Sequence, residues 1–162
     1  MQFGVGVEYA FHSLFYMVGL SAHRTVGIRD LARLHGVSPT YLSKIYAKLA
    51  KAGLVRSVVG VGGGYELARE AEEISFWDII EAIEGPSFLF KCIEIRKKNL
   101  FVDDPSVFSN RCPCLIRVVI QEAEQLMRDK LKTKSLRWLY DEAQKEFSPK
   151  KRAAMAKWLE KI

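Results

Sequence analysis

Two short apolar-striped segments meeting at a glycine turn, with a glycine-rich hairpin directly after them, constrain this chain more than anything else in its sequence. Residues 27–35 (Gly-Ile-Arg-Asp-Leu-Ala-Arg-Leu-His) read as a short helix stopped by Gly36, and Ser38-Pro39 opens a second that reaches Ala52. Serine is a favoured N-cap because its hydroxyl accepts from an otherwise unpaired amide, and proline suits the first turn, where its missing N–H costs nothing. Leu42, Ile45 and Leu49 give the second helix one apolar stripe. A small residue in the turn lets the two helices cross steeply, as in a helix-turn-helix. Residues 54–59 then read as a strand, Gly60-Val61-Gly62-Gly63-Gly64 as a turn and residues 65–68 as the returning strand, which together make a wing.

The remaining segments are mostly helical. Across 4–21, Val7, Ala10, Phe11, Leu14, Phe15 and Val18 recur at three- and four-residue steps, and Glu8 and His12 share one face. Ser75-Phe76-Trp77-Asp78 caps a fourth helix ending at Gly85-Pro86. The stretch 87–111, with Cys92 and the basic run Arg96-Lys97-Lys98, is less regular and reads as a short helix followed by a loop. A long amphipathic helix follows over 114–132, then two more over 135–146 and 148–162. The expected fold is mainly α with a small β wing: a winged helix-turn-helix domain over 1–85, a loop region and long helix over 86–132, to which the resemblance described below gives the roles of sensor and dimerisation helix, and a helical extension over 133–162. A chain of 162 residues can bury such a core without disulfides.

Charge points to the partner. Between residues 23 and 56, Arg24, Arg29, Arg33, Lys44, Lys48, Lys51 and Arg56 face Asp30 alone, so this stretch carries the whole net charge of +6. A localised positive field is the footprint of a nucleic-acid contact. The second helix of the motif would lie in the major groove of double-stranded DNA. The expected contact residues are Arg29, Ser38, Thr40, Tyr41, Ser43, Lys44 and Lys48 from the two helices, with Arg56, Gly62, Gly63 and Tyr65 from the wing. The glycine run joins strand to strand and lacks a Lys-Ser/Thr tail, so it is not a nucleotide-phosphate loop. With no paired acid and base and no nucleophile motif, the sequence gives no sign of an enzyme. Three cysteines are too few for a disulfide scaffold. No targeting signal or membrane span is expected either, because Glu8 and His12 interrupt the apolar N-terminal run; the expected setting is the cytoplasm.

Several blocks together resemble the Rrf-two family of bacterial regulators, the IscR-, NsrR- and CymR-type proteins. They are Gly6-Val7-Glu8-Tyr9-Ala10, Ser38-Pro39-Thr40-Tyr41-Leu42, Ala52-Gly53-Leu54-Val55, Gly62-Gly63-Gly64-Tyr65-Glu66-Leu67-Ala68-Arg69 and Asp78-Ile79-Ile80-Glu81-Ala82-Ile83-Glu84-Gly85, within residues 4–132. The resemblance implies a homodimeric winged-helix repressor on an imperfect palindromic operator, with 114–132 as the dimerisation helix. Many relatives sense through an iron–sulfur cluster. Val59 stands before Gly60, where relatives often carry arginine.

The thiols are Cys92, Cys112 and Cys114, spaced unlike the family's evenly placed three. Cys112-Pro-Cys114 closes a local disulfide poorly but can offer two thiolates to one metal. A redox-sensing branch of the family resembles this chain, with a [2Fe-2S] cluster held by Cys112 and Cys114 of one subunit and Glu8 and His12 of the other. Cys92 reads as a small buried hydrophobe or as a third thiolate ligand. Other readings stay open: Glu8 and His12 as an ordinary helical pair, a zinc site, or a cluster-free regulator worked by a thiol switch or a partner protein. His23 and His35 read as surface or phosphate-side residues, and Trp77, Trp138 and Trp158 as anchors.

Overall fold

The computed structural model of the protein describes residues 2–21, 24–60, 62–86, 89–108 and 113–162. Among them are seven α-helices and one two-stranded antiparallel sheet: α1 (Val5–Val18), α2 (Ile28–His35), α3 (Pro39–Lys51), β1 (Val55–Val58), β2 (Gly64–Leu67), α4 (Phe76–Glu84), α5 (Leu115–Lys132), α6 (Leu136–Glu146) and α7 (Pro149–Lys161). The expected fold class stands, and the helix boundaries fall where the caps place them. Ser38 accepts from the Tyr41 amide at 3.1 Å to start α3. Ser75 and Asp78 form a reciprocal capping box at α4, with bonds of 3.1 and 2.8 Å. Ser135 and Ser148 accept from the Trp138 and Lys151 amides to open α6 and α7.

The core lies where α1, α3, α4 and the base of the wing converge. Ala10, Leu14, Leu31, Leu42, Tyr46, Leu49, Leu54, Ile74 and Ile79 are buried there, each large aliphatic side chain contributing about 1.5–3 kcal/mol relative to exposure. Tyr46 is fully enclosed, and its hydroxyl donates to the Met17 sulfur at 3.2 Å. Burial pushes its phenol well above the ordinary range. Ser13, also buried, returns its hydroxyl to the Tyr9 carbonyl at 2.6 Å.

The C-terminal segment is built into this core. The Phe76 amide donates to the Lys134 carbonyl and the Leu136 amide to the Ile74 carbonyl, both at 2.8 Å, so the chain leaving α5 is stitched beside the entry to α4. Leu136 is fully buried, and α6 packs along α1. α7 follows, with Trp158 edge-on to Tyr16 at 5.6 Å.

Two features depart from the sequence reading. The described part of 87–111 holds two single 3-10 turns, Ile95–Lys98 and Pro105–Val107, rather than a helix. Neither buries a residue, and three consecutive cations leave the first without an apolar stripe to anchor a longer helix. The second departure is Glu124, buried on α5. It is paired with Arg128 and accepts from the Leu89 amide at 3.2 Å, while Arg128 stacks over Trp77. This ties the start of the 89–108 loop to the middle of α5.

Candidate nucleic-acid interface and cysteine site

Gly36 closes α2 in the left-handed region (φ 62°), which a side chain resists and glycine does not. That bend sets α3 across α2 and leaves Arg29, Ser38, Thr40 and Lys44 exposed, with Ser43 half-buried. Several expected contact residues have partners inside the protein. Tyr41 sits edge-on to Tyr9 of α1 at 5.7 Å. Lys48 donates its ammonium to the Ile83 carbonyl at 2.6 Å, closing the last turn of α4. Tyr65 packs edge-on against Tyr46 at 4.8 Å. On the wing, Arg56 and Glu66 are register partners joined by a 2.6 Å ion pair, and Arg56 remains largely exposed. Gly62 and Gly63 lie exposed beyond the strands, and Val59 is almost wholly in solvent.

The wing is held by residues the sequence reading passed over. The Thr25 hydroxyl donates to the Gly62 carbonyl at 2.6 Å, and Val26 exchanges two backbone bonds with Tyr65, at 3.0 and 2.9 Å. The signal available was the β-branched pair Thr25-Val26 just ahead of α2, which suits an extended segment. This close approach demands glycine at position 64, where a Cβ would meet the Val26 carbonyl oxygen at 2.5 Å. Gly64→Ala is therefore expected to cost about 1–3 kcal/mol through overpacking against backbone. Urea unfolding reads it, and an unchanged midpoint would mean that the wing does not rest on Val26.

Cys114 is the N-cap residue of α5 and is half-buried. The Arg117 amide, in the first turn of that helix, holds its thiol below the ordinary range; the Ile116 amide, the Arg96 charge and the Cys92 thiol act in the same direction. Cys92 is half-buried, and its thiol is the weakest of the groups that hold the Cys114 thiol low. Arg96 lies over the Phe108 ring at 4.5 Å and reaches the Pro113 carbonyl, keeping a cation beside the pair. Cys112 and His23 lie outside the described residues. Glu8 and His12 are exposed on α1. Among the described residues of one chain, no three His, Cys, Asp or Glu side chains converge as a metal site.

His35 is a second correction. Instead of facing a phosphate or lying open on the surface, its ring packs near Tyr9, Tyr16 and His12, with centroids at 6.4, 5.7 and 6.3 Å. Its Nε2 is enclosed without a hydrogen-bond partner. Burial, followed by the nearby His12, holds its pKa below the ordinary imidazole value. A polar ring ending an amphipathic helix gave no sign that α1 would cover it.

Residues 4–142 match the Rrf2 family, the Rrf-two group, described as iron-dependent transcriptional regulators. The Lactococcus lactis protein YffB is 32% identical over 148 residues, covering 91% of this chain and 92% of that protein. Protein rrf2 of Nitratidesulfovibrio vulgaris is 34% identical over 119 residues, 71% of each chain. Among solved structures, T. potens IscR superposes with a TM-score of 0.66 at 26% identity, covering 91% of this chain and 92% of that one. The oxidized form of Staphylococcus aureus CymR gives 0.62 at 25% identity, covering 86% and 96%. No described helix is long and apolar enough to cross a membrane. With its winged helix-turn-helix intact and the match running through nearly all of its length, this chain belongs to the Rrf2 family of transcriptional regulators.

Proposed function

We propose that the protein is a homodimeric repressor whose affinity for an imperfect palindromic DNA operator is set by a [2Fe-2S] cluster. The observation that carries this reading is Cys114 at the N-cap position of α5, with the Arg96 guanidinium reaching the neighbouring Pro113 carbonyl; the helix amides and that cation favour a thiolate there. Thiolates are the usual protein ligands of such clusters, and imidazole replaces them in some. Cys112 and Cys114 with Glu8 and His12 of the partner subunit make one set of four. The position of Cys92 beside Cys114 favours a thiolate in place of the Glu8 carboxylate. When bound, the cluster supplies a redox couple whose ligation responds to its oxidation state.

Support for the dimer comes from α5, which exposes Leu115, Ile116, Val119 and Leu126, each more than three-fifths accessible. An apolar stripe of that length on an 18-residue helix fits a second copy of itself. On this reading residues 1–85 contact DNA, 86–132 sense and dimerise, and 133–162 brace α1. Exposed Arg29, Ser38, Thr40 and Lys44 with the wing residues Arg56, Gly62 and Gly63 form the contact surface, while Tyr41, Lys48 and Tyr65 shape it from behind.

Protein purified without oxygen is expected to be red-brown, with about two irons per subunit, and its operator affinity should change when the iron is removed by chelation. Cys92 and Cys114 also support a second reading, in which a peroxide joins them as a disulfide and is itself reduced to water. Colourless, iron-free protein that binds DNA only in the presence of reductant would replace the cluster with that switch.

A further inference from the structure

Behind α1, on the side carrying His12, lies a cavity of about 290 Å³ between α1, the start of α4 and the α6–α7 corner. Its walls are Phe11, Phe15, Phe76, Phe147, Leu139 and Ala143, and His12, Tyr16 and Lys151 complete its lining. The aromatic walls brace one another. Phe11 lies 4.5 Å from Phe76, and Phe15 lies 5.9 Å from Phe147 and 5.1 Å from Tyr140. The cavity is therefore built into the fold and does not depend on one mobile side chain. Its volume sits at the small end of ligand pockets. No carboxylate lines it, and the one full cation, Lys151, holds its ammonium 3.6 Å from the centre of the Phe147 ring.

We propose that this cavity is an effector site for a small planar aromatic carboxylate, its ring stacked among the phenylalanines and its carboxylate on Lys151. Apolar aromatic walls with a single cation among them select this class over aliphatic acids, which lose the ring contacts, and over aromatic amines, which meet the cation. The site has a physical route to DNA. His12 and Tyr16 line the cavity on one side and lie beside His35 on the other, with ring centroids 6.3 and 5.7 Å away. His35 is the last residue of α2, immediately before the Gly36 turn of the helix-turn-helix. A ring held in the cavity packs against the same two side chains that seat the end of α2, so occupancy and the helix-turn-helix geometry are linked. This proposal shares His12 with the proposed cluster ligands but does not depend on the cluster, and it survives if the protein carries no iron.

The test uses the full-length dimer, with 1-naphthoate and the neutral 1-naphthalenemethanol as probes and calorimetry as the readout. Naphthoate is expected to bind saturably and more tightly than the alcohol. Lys151→Gln should weaken naphthoate at least tenfold and leave the alcohol within twofold. Ala143→Trp, which fills the cavity from α6, should abolish both while the melting temperature shows that the fold is kept. Naphthoate binding that survives Ala143→Trp would place the ligand elsewhere and overturn the proposal. So would equal losses of both probes in Lys151→Gln. The absence of saturable naphthoate binding to the wild type would overturn it as well.

Discussion

Cys114→Ser protein isolated without oxygen is expected to be nearly colourless, with iron falling from about two per subunit to a small fraction of that. Serine is chosen because it is a favoured residue at the N-cap position of α5, so a loss of colour is not confounded by a weakened helix start. An unchanged melting temperature of the metal-free proteins then separates a ligand from a packing residue. Cys92→Ala, by its position against Cys114, should lose as much colour, whereas Glu8→Ala should keep most of it. The opposite ranking, with Cys92 dispensable and Glu8 essential, would restore the ligand set with two thiolates and two α1 residues. A red-brown Cys114→Ser protein with full iron would remove the α5 N-terminus from the site altogether.

Lys44→Glu is expected to weaken operator binding about 100-fold. A charge-assisted contact to phosphate is worth about 1.5 kcal/mol, and a symmetric dimer loses it twice. The slope of log affinity against log salt should fall by about two, because each lost phosphate contact removes roughly one released counterion. Lys48→Ala provides the contrast. Its ammonium rests on the Ile83 carbonyl, so its loss should lower stability by about 1 kcal/mol and leave the salt slope nearly unchanged. If Lys48→Ala flattens the slope as Lys44→Glu does, the side chain leaves α4 for the phosphate when DNA binds, and the assignment of the two lysines to different tasks fails.

Local chemistry carried most of the fold into view. Ser38-Pro39, the Ser75–Asp78 box, the Gly36 stop and the stripe Leu42, Ile45, Leu49 each act within one turn, and each marked its element correctly. Questions of facing were harder to read. Tyr41, Lys48 and Tyr65 have the right residue types for a DNA contact, yet their direction depends on α1, α4 and Tyr46, which lie far away in sequence. The same limit hid His35 beneath α1 and Leu136 beside Ile74. At the cysteines the sequence showed the residue types, and Cys112-Pro-Cys114 drew attention because its members are neighbours. The approach of Cys92 to Cys114 depends on the loop being tied back to α5 through Leu89 and Glu124. A buried carboxylate in the middle of a helix carries no periodic signature that would have announced that tie.

The bracing of the wing by Thr25 and Val26 has a mechanical consequence. The hairpin that reaches toward DNA is latched, by one side-chain and two backbone bonds, to the segment running from α1 to α2. A wing on a free hinge would absorb small displacements of α1; a latched one transmits them. If the proposed dimer grips two half-sites about 34 Å apart, the two wings would act like the jaws of a caliper whose gap is set by where each α1 lies. The helix carrying Glu8 and His12 would then be the handle that opens or narrows the gap, and an operator would register its movement as a change of fit at both half-sites together.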